Sequence, residues 1–256
     1  MQITVTGLAT TPVKAMRLRT VRSVQLTRDG ARGNRRFYVV DEQGRMVNGK
    51  PVGALQTVIA EFDEPARQLT LTFTDGTQVS GEIAYAGEIQ TKFFSSERRG
   101  RLLVGPWATA LSEQIGQPLQ LVETDVGVDR GPEGGVSLIS RGSLARLAQA
   151  AGTDSVDVRR FRMLIEVDGV APHAEDDWVG RRVCVGETLL SFAGHVGRCA
   201  VTTRNPDTGE ADLKTLHALT SYRSDHPSVE PLPFGIYGEV LEPGTITIGD
   251  VVTVEE

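Results

Sequence analysis

The sequence predicts an α+β fold that is mainly β, with barrel-like sheet architecture and a few peripheral helices. Many short apolar or alternating stretches are separated by glycine, proline and aspartate turn signals, and few segments have helical spacing. No internal repeat or low-complexity segment interrupts this pattern. The 256 residues suffice for one large domain or two small ones.

The first hundred residues are predicted to be mostly β. Residues 21–27 alternate between apolar and polar side chains, which is typical of a half-buried strand, and residues 37–40 are continuously apolar, as in a buried strand. Asp75-Gly76 is a hairpin signal. Strands are predicted at residues 2–8, 21–27, 37–40, 56–62, 68–73 and 78–83.

The remaining residues are predicted to contain three helices, at residues 107–115, from Ser140 or Ser143 to Gly152, and at residues 213–222. Residues 125–135 are rich in glycine, aspartate and proline, and form the predicted loop or domain boundary. The run after Cys199 is predicted to be a strand. Further strands are predicted at residues 119–122, 136–139, 163–167, 183–185, 188–192, 234–241 and 246–254.

Composition limits the classes of partner and compartment. The net charge is −6, so duplex DNA or RNA is not expected as the main partner. No apolar run approaches about 20 residues, and no signal-peptide pattern is present, so we expect no membrane association and a cytoplasmic location. The two cysteines, Cys184 and Cys199, fit a reducing compartment and cannot supply four ligands for an iron–sulfur cluster.

The stretch from His195 to Gly209 contains the most informative cysteine. Arg198 precedes Cys199 directly, and a neighbouring cation favours the thiolate, although a free cysteine is more often a small buried hydrophobe. A zinc site using His195, Cys199, His217 and His226 is disfavoured, because ligands four residues apart meet only on a helix. A cysteine–histidine nucleophile pair is equally weak, since nothing fixes its geometry.

Other charged segments leave two interpretations open. The start of a helix at Ser140, beside Arg141, can hold a phosphate, although a plain capped helix is the commoner case. Residues 159–162 include three arginines, which either bind an anion or form a solvated surface run. The carboxylates of residues 175–177 indicate a turn rather than an acid/base pair. Phosphate-loop, dinucleotide-binding and nucleophile-elbow motifs are absent.

Several stretches, taken in order, resemble the MOSC-domain family, and in particular its amidoxime-reducing component type. These stretches are Thr11-Pro12-Val13-Lys14, Arg35-Arg36-Phe37 with Asp41-Glu42, Phe161-Arg162, Val167-Asp168-Gly169, Ala174 to Trp178, Arg198-Cys199 with Thr202-Thr203 and Pro206 to Gly209, Phe234-Gly235, Pro243-Gly244 and Gly249-Asp250. The resemblance implies a MOSC N-terminal β-barrel-like domain over residues 1–122, whose first strands are free to join the main barrel, and a MOSC domain over residues 123–256.

The resemblance also implies a molybdenum cofactor (molybdopterin), with neither PLP nor an iron–sulfur cluster in this chain. The residue matching the family's molybdenum ligand is Cys199, and a thiolate suits such a soft ligand role. The expected cofactor-binding residues are Lys14, Arg36, Ser140, Arg162, Arg198 and Cys199. Basic residues from distant stretches would then converge on one polyanionic group.

The family reaction implies a molybdenum-dependent oxidoreductase that reduces small N-hydroxylated compounds, with electrons from a separate ferredoxin- or flavoprotein-type partner. A small sulfur-containing compound is the other substrate class that the resemblance allows. Two alternatives are a sulfur-carrier or cofactor-handling protein with a persulfide on Cys199, and a non-catalytic cofactor-binding protein. The second is motivated by departures from the family pattern at Ala15 and Leu164; the chain also departs from that pattern at Met163 and at Glu133-Gly134-Gly135.

Overall fold

The computed structural model describes residues 2–93, 96–125 and 132–255 of the chain and is mostly sheet, which confirms the predicted mainly β class. Its α-helices are α1 (Trp107–Ile115), α2 (Arg141–Ala151) and α3 (Thr215–Arg223). Its strands are β1 (Thr4–Thr10), β2 (Arg19–Thr20), β3 (Ser23–Thr27), β4 (Gly30–Ala31), β5 (Phe37–Val40), β6 (Met46–Val47), β7 (Ile59–Asp63), β8 (Gln68–Thr72), β9 (Gln78–Glu82), β10 (Ala84–Phe93), β11 (Ser96–Val104), β12 (Gln120–Glu123), β13 (Val136–Ser140), β14 (Ile165–Asp168), β15 (Arg182–Val185), β16 (Thr188–His195), β17 (Ile236–Glu242), β18 (Gly244–Thr247) and β19 (Val252–Val254). Short 3₁₀ helices lie at Gly53–Thr57, Pro132–Gly134, Val158–Phe161, Ala174–Trp178 and Ala200–Thr203.

The largest sheet is built mainly from the second half of the chain. Its described strands follow the order β19-β15-β16-β17-β13-β14-β1-β2, with β13 and β14 parallel. β1 pairs antiparallel with β14, and β3 pairs with β18, so strands near the N-terminus complete this part of the fold. Its core contains Val5, Leu138, Ile165, Val183 and Phe192. The division at residues 122/123 stays a prediction.

A second core is formed by residues before position 122. The described strands there form one sheet in the order β10-β11-β12-β5-β6 and another in the order β7-β8-β9, and α1 packs against them. Trp107 at the start of α1 is 1% exposed, and its indole N–H donates a 2.9 Å hydrogen bond to the Leu69 carbonyl. A buried indole with a satisfied N–H anchors a helix firmly to a sheet.

Several local predictions were wrong. The run after Cys199 is a 3₁₀ helix and not a strand, because Thr202 donates its N–H and its hydroxyl back to the Cys199 carbonyl. Residues 56 and 57 belong to a 3₁₀ helix, and the predicted strand 246–254 is split by a turn at Gly249, where φ is +99°. The long hairpin of β10 and β11 was missed, because its outward face is polar.

The predicted cap of α2 is confirmed: the Ser140 hydroxyl accepts from the Ser143 N–H at 3.1 Å. The loop predicted at residues 125–135 lies partly outside the described residues, which include a 3₁₀ helix at Pro132–Gly134. Within the described ranges, no helix combines the length and the apolar character needed to cross a membrane.

Candidate functional site

A cavity of about 250 Å³ lies between residues from the two halves of the chain. Five basic side chains of the described residues line it, and no described aspartate or glutamate does. The basic residues are Lys14, Arg35, Arg160, Arg162 and Arg198. A pocket with this charge pattern attracts an anionic ligand.

Cys199 lines this cavity and exposes its thiol. It lies between β16 and the 3₁₀ helix Ala200–Thr203, which it precedes as the capping residue. The helix is anchored because the Thr202 hydroxyl lies 2.7 Å from the hydroxyl of Thr215, at the buried start of α3. The sequence therefore presents a free thiol from a short, well-held turn, which is a suitable position for a soft metal ligand.

Arg198 supports the backbone on which Cys199 lies. Arg198 is 8% exposed, and its guanidinium donates to the carbonyls of Phe161 at 2.9 Å and of Phe234 at 2.8 Å. Its own N–H bonds to the Pro231 carbonyl at 3.1 Å. These bonds tie the segment before Cys199 to the segment that leads into β17. Arg198 thus positions the thiol as well as adding positive charge to the cavity wall.

Arg35 and Arg162 bring two cations together in the cavity. Arg35 donates to the Arg162 carbonyl, and Arg162 donates to the Met16 carbonyl, each at 2.6 Å. Burial, and then the charge of Arg162, lowers the pKa of Arg35 to about 9, while burial lowers the pKa of Arg162 to about 10. Both shifts arise because a desolvated cation is unfavourable, and a bound anion would offset that cost.

Three of the six described non-glycine residues with positive φ line this cavity. Ala15, Arg35 and Arg162 have φ angles of +73°, +51° and +57°. Residues other than glycine adopt this left-handed conformation only where the surrounding fold enforces it, and such residues cluster at functional sites. Their shared position supports assignment of the cavity as the functional site.

Gln56 gives the cavity a buried, uncommitted amide. It is 1% exposed, and neither its nitrogen nor its oxygen has a hydrogen-bond partner within the described part of the chain. Leaving both atoms of a buried amide unsatisfied is costly, so the position favours a ligand with a donor and an acceptor. The 3₁₀ helix Gly53–Thr57 carries this side chain to the cavity.

The structure brings four of the predicted site residues together: Lys14, Arg162, Arg198 and Cys199. Arg36 does not line the cavity, because its guanidinium pairs with Glu123 at 2.6 Å and Glu64 at 2.9 Å.

Ser140 does not line the cavity either. Its hydroxyl is fully buried and donates to Glu175 at 2.8 Å. Glu175 also accepts from the Ser140 N–H and from the Ser143 hydroxyl, so a carboxylate already occupies the start of α2. A phosphate placed there would meet a like charge.

Sequence reasoning missed Arg35 and Gln56. The resemblance named Arg36, but adjacent side chains leave the backbone in different directions, and the structure places its neighbour Arg35 at the cavity. Nothing local to the sequence marks Gln56. Of the basic run at residues 159–162, Arg160 pairs with Asp212 at 2.7 Å and lines the cavity, whereas Arg159 pairs with Asp157 and Asp207.

Three of the residues that depart from the family pattern lie at the cavity, and one lies in the core of the large sheet. Ala15 and Met163 line the cavity, as does Gly134 from the Glu133-Gly134-Gly135 segment. Leu164 is 4% exposed and packs in the core of the large sheet. This departure from the family pattern is therefore an apolar core residue.

Comparison with protein families gives two adjacent matches. The MOSC N-terminal beta barrel domain matches residues 2–112, and the MOSC domain matches residues 125–253. Together the matches include every residue named above as lining the cavity.

Similar proteins of known name match this chain over different lengths. Mitochondrial amidoxime-reducing component 1 of Mus musculus is 39% identical over 103 residues, which are 38% of this chain and only 30% of that protein. Mitochondrial amidoxime reducing component 2 of Bos taurus is 26% identical over 280 residues, covering 97% of this chain and 82% of the relative. Molybdenum cofactor sulfurase of Oryza sativa subsp. japonica is 25% identical over 281 residues, covering 93% of this chain and 33% of that protein.

Proposed function

Because the chain belongs to the MOSC domain family, we propose that it binds the molybdenum cofactor in the basic cavity and reduces N-hydroxylated compounds there. The observation that carries the proposal is the exposed thiol of Cys199 in a cavity lined by five described cations and no described carboxylate. The names of the mouse and bovine relatives, which are amidoxime-reducing components, support the choice of substrate class.

The residues present fit an anionic pterin that carries a phosphate. Lys14, Arg35 and Arg162 supply positive charge for the phosphate, and the unsatisfied amide of Gln56 offers both a donor and an acceptor to the heterocycle. Cys199 would ligate the molybdenum through its thiolate. Arg36 and Ser140 have no place in this proposal, because their polar groups are bonded elsewhere.

When bound, the cofactor supplies the two-electron chemistry that removes an oxygen atom from an N–O bond and releases it as water. The chain's own contribution is to hold the cofactor and admit the substrate. Arg198 fixes the backbone before Cys199, so the thiolate stays at the cavity. A small N-hydroxylated or sulfur-containing substrate and a separate ferredoxin- or flavoprotein-type electron donor complete the proposed reaction, and a cytoplasmic location stays a prediction from composition.

Molybdenum analysis of protein expressed in a host that makes the cofactor tests the proposal. We expect about one molybdenum per chain, lost in Cys199→Ser and retained in Cys184→Ser, whose half-buried thiol lies on β15. Benzamidoxime reduction with a chemical electron donor should follow the molybdenum content. Molybdenum bound equally by Cys199→Ser would contradict the ligand assignment, and bound cofactor without benzamidoxime reduction would favour the non-catalytic alternative.

A sulfur-handling role is the second candidate, favoured by the accessibility of the Cys199 thiol and by the similarity to the rice sulfurase. In that role Cys199 would carry a persulfide and no metal. Mass spectrometry after mild alkylation distinguishes the two functions. Sulfane sulfur on Cys199 in protein that lacks molybdenum would support the second function and overturn the first.

A further inference from the structure

Two histidines and an aspartate that are distant from one another in the sequence lie close together in the structure. Asp176 lies in the 3₁₀ helix Ala174–Trp178, His195 ends β16, and His226 follows α3. One possible ligand atom from each lies within 4.8 Å of the others. We call this group the Asp176–His195–His226 cluster. No sequence pattern places Asp176 beside either histidine, and packing between distant segments brings the three side chains together.

The distances within the cluster leave potential ligand atoms facing one another. His195 Nε2 lies 3.7 Å from Asp176 Oδ1, and His226 Nε2 lies 3.4 Å from Oδ2. The side chains are 11% to 20% exposed. Within the described ranges, Asp176 Oδ1 and His195 Nε2 are buried and lack a hydrogen-bond partner. Buried polar atoms left unsatisfied are unfavourable, so these atoms favour a further binding partner.

Arg223 fixes the carboxylate without using the free oxygen. Its terminal nitrogen lies 2.8 Å from Asp176 Oδ2, and its Nε donates to the Pro233 carbonyl at 2.8 Å. The side chain of Arg223 is 5% exposed. This ion pair accounts for Oδ2, whereas Asp176 Oδ1 and His195 Nε2 lack a hydrogen bond within the described ranges. A ligating carboxylate whose second oxygen is held by a neighbouring group is a common arrangement around protein-bound metals.

We propose that the Asp176–His195–His226 cluster binds a first-row divalent transition metal such as Zn²⁺. Two imidazoles and one carboxylate form a ligand set used for zinc and other first-row metals, with solvent able to complete the coordination. The sequence disfavoured a zinc site using His195, Cys199, His217 and His226, because ligands four residues apart meet only on a helix. The structure instead groups His195 and His226 with Asp176 and without Cys199, so that objection does not apply.

The bound metal would stabilise the contact between residues 196–199, which lead to the Cys199 thiol, and residues 228–235, which pair with them. His226 leads into residues 228–235, whose Pro231 and Gly235 carbonyls accept the N–H groups of Arg198 and Val196. His195, the last residue of β16, directly precedes residues 196–199. A metal joining His195 and His226 therefore cross-links both sides of the segment that presents the thiol. Its role is structural, and its binding is independent of molybdenum.

Metal titration of chelator-treated, full-length protein tests this site. We expect about one Zn²⁺ per chain by calorimetry, with affinity reduced at least about tenfold in His195→Ala and in His226→Ala. His217→Ala is the matched control, because His217 is an exposed histidine on α3. Zn²⁺ should raise the melting temperature of wild-type protein and of His217→Ala, and this rise should be lost in the double variant His195→Ala/His226→Ala.

Circular dichroism of the metal-free variants checks that they fold, and His195→Gln and His226→Gln repeat the measurement with polar replacements. Co²⁺ absorption identifies the ligand type, since histidine and carboxylate coordination lacks the near-ultraviolet thiolate charge-transfer band. The proposal is overturned if wild-type protein binds no stoichiometric Zn²⁺, if the folded double variant binds it as wild type does, or if Co²⁺ shows the thiolate band.

Discussion

The guanidinium of Arg35 donates a 2.6 Å hydrogen bond to the carbonyl oxygen of Arg162, so two cations meet at the wall of the cavity that contains Cys199. Each satisfies part of its hydrogen-bonding capacity with a neutral carbonyl. The arrangement is unfavourable for the ligand-free protein and favourable once an anion binds, because the anion offsets the repulsion.

Neutralising either arginine should therefore weaken cofactor retention without weakening the fold. We expect Arg35→Gln and Arg162→Gln each to lower molybdenum occupancy, with about a tenfold or greater loss of affinity, since a hydrogen bond to a charged group contributes about 1.5–3 kcal/mol. The melting temperature of the cofactor-free protein should not fall. Arg22→Gln, at an exposed arginine, is the control. Unchanged molybdenum content together with reduced stability would assign a purely structural role to the arginine pair.

Gln56→Leu should change stability and cofactor binding in opposite directions. Its amide is buried and unsatisfied within the described residues, so replacing it with an apolar side chain should stabilise the cofactor-free protein by about 1 kcal/mol. Cofactor retention should fall, because the ligand loses a donor and an acceptor. Denaturant unfolding and molybdenum analysis measure the two effects. The exposed Gln117 provides a control substitution, and a loss of stability in Gln56→Leu would refute the assignment.

Gly53 is required for the close approach of two backbones. A Cβ at this position would lie 2.2 Å from the Gly209 carbonyl oxygen and 2.4 Å from Arg204 Nη1. Because one of these atoms is backbone, Gly53→Ala should destabilise the protein by about 1–3 kcal/mol and lower molybdenum occupancy by shifting the turn that carries Gln56. Gly7→Ala, which meets only the side chain of Glu166 at 3.2 Å, should have a smaller effect. Equal unfolding free energies for the two variants would argue against this contact.

His173 should make stability depend on pH. Burial, followed by the charge of Arg223, lowers its pKa from 6.5 to about 4. The unfolded chain therefore binds this proton at a higher pH than the folded chain does, and the free energy of unfolding should fall as the pH drops from 6.5 towards 4. Between pH 7 and pH 5 we expect a contribution of roughly 2 kcal/mol.

His173→Phe retains a ring against Tyr222 and Phe234 and removes the titration. Its unfolding free energy, measured with a chelator present, should vary less between pH 7 and pH 5 than that of wild type. His217→Phe should retain the wild-type slope, because His217 is exposed. The left-handed backbone at position 173 adds a strain that does not depend on pH, so the slope is the informative quantity. An unchanged slope in His173→Phe would contradict the prediction.

Local sequence patterns predicted the mainly β class and the helices near Trp107, Ser140 and Leu213. A family resemblance named six site residues: Lys14, Arg36, Ser140, Arg162, Arg198 and Cys199. These properties are local. Periodicity, capping residues and short motifs depend on neighbours along the chain, so they can be identified without knowing which distant segments pack together.

The other features of the site depend on how distant segments pack together. Packing places Arg35 rather than Arg36 at the cavity and sets the Glu175 carboxylate at the start of α2. It also makes the run after Cys199 a helical turn, which is held by the contact between Thr202 and Thr215. It also brought His195 and His226 to Asp176. Each outcome depends on where a side chain points and on which distant partner satisfies it, and both are set by packing between segments far apart in sequence.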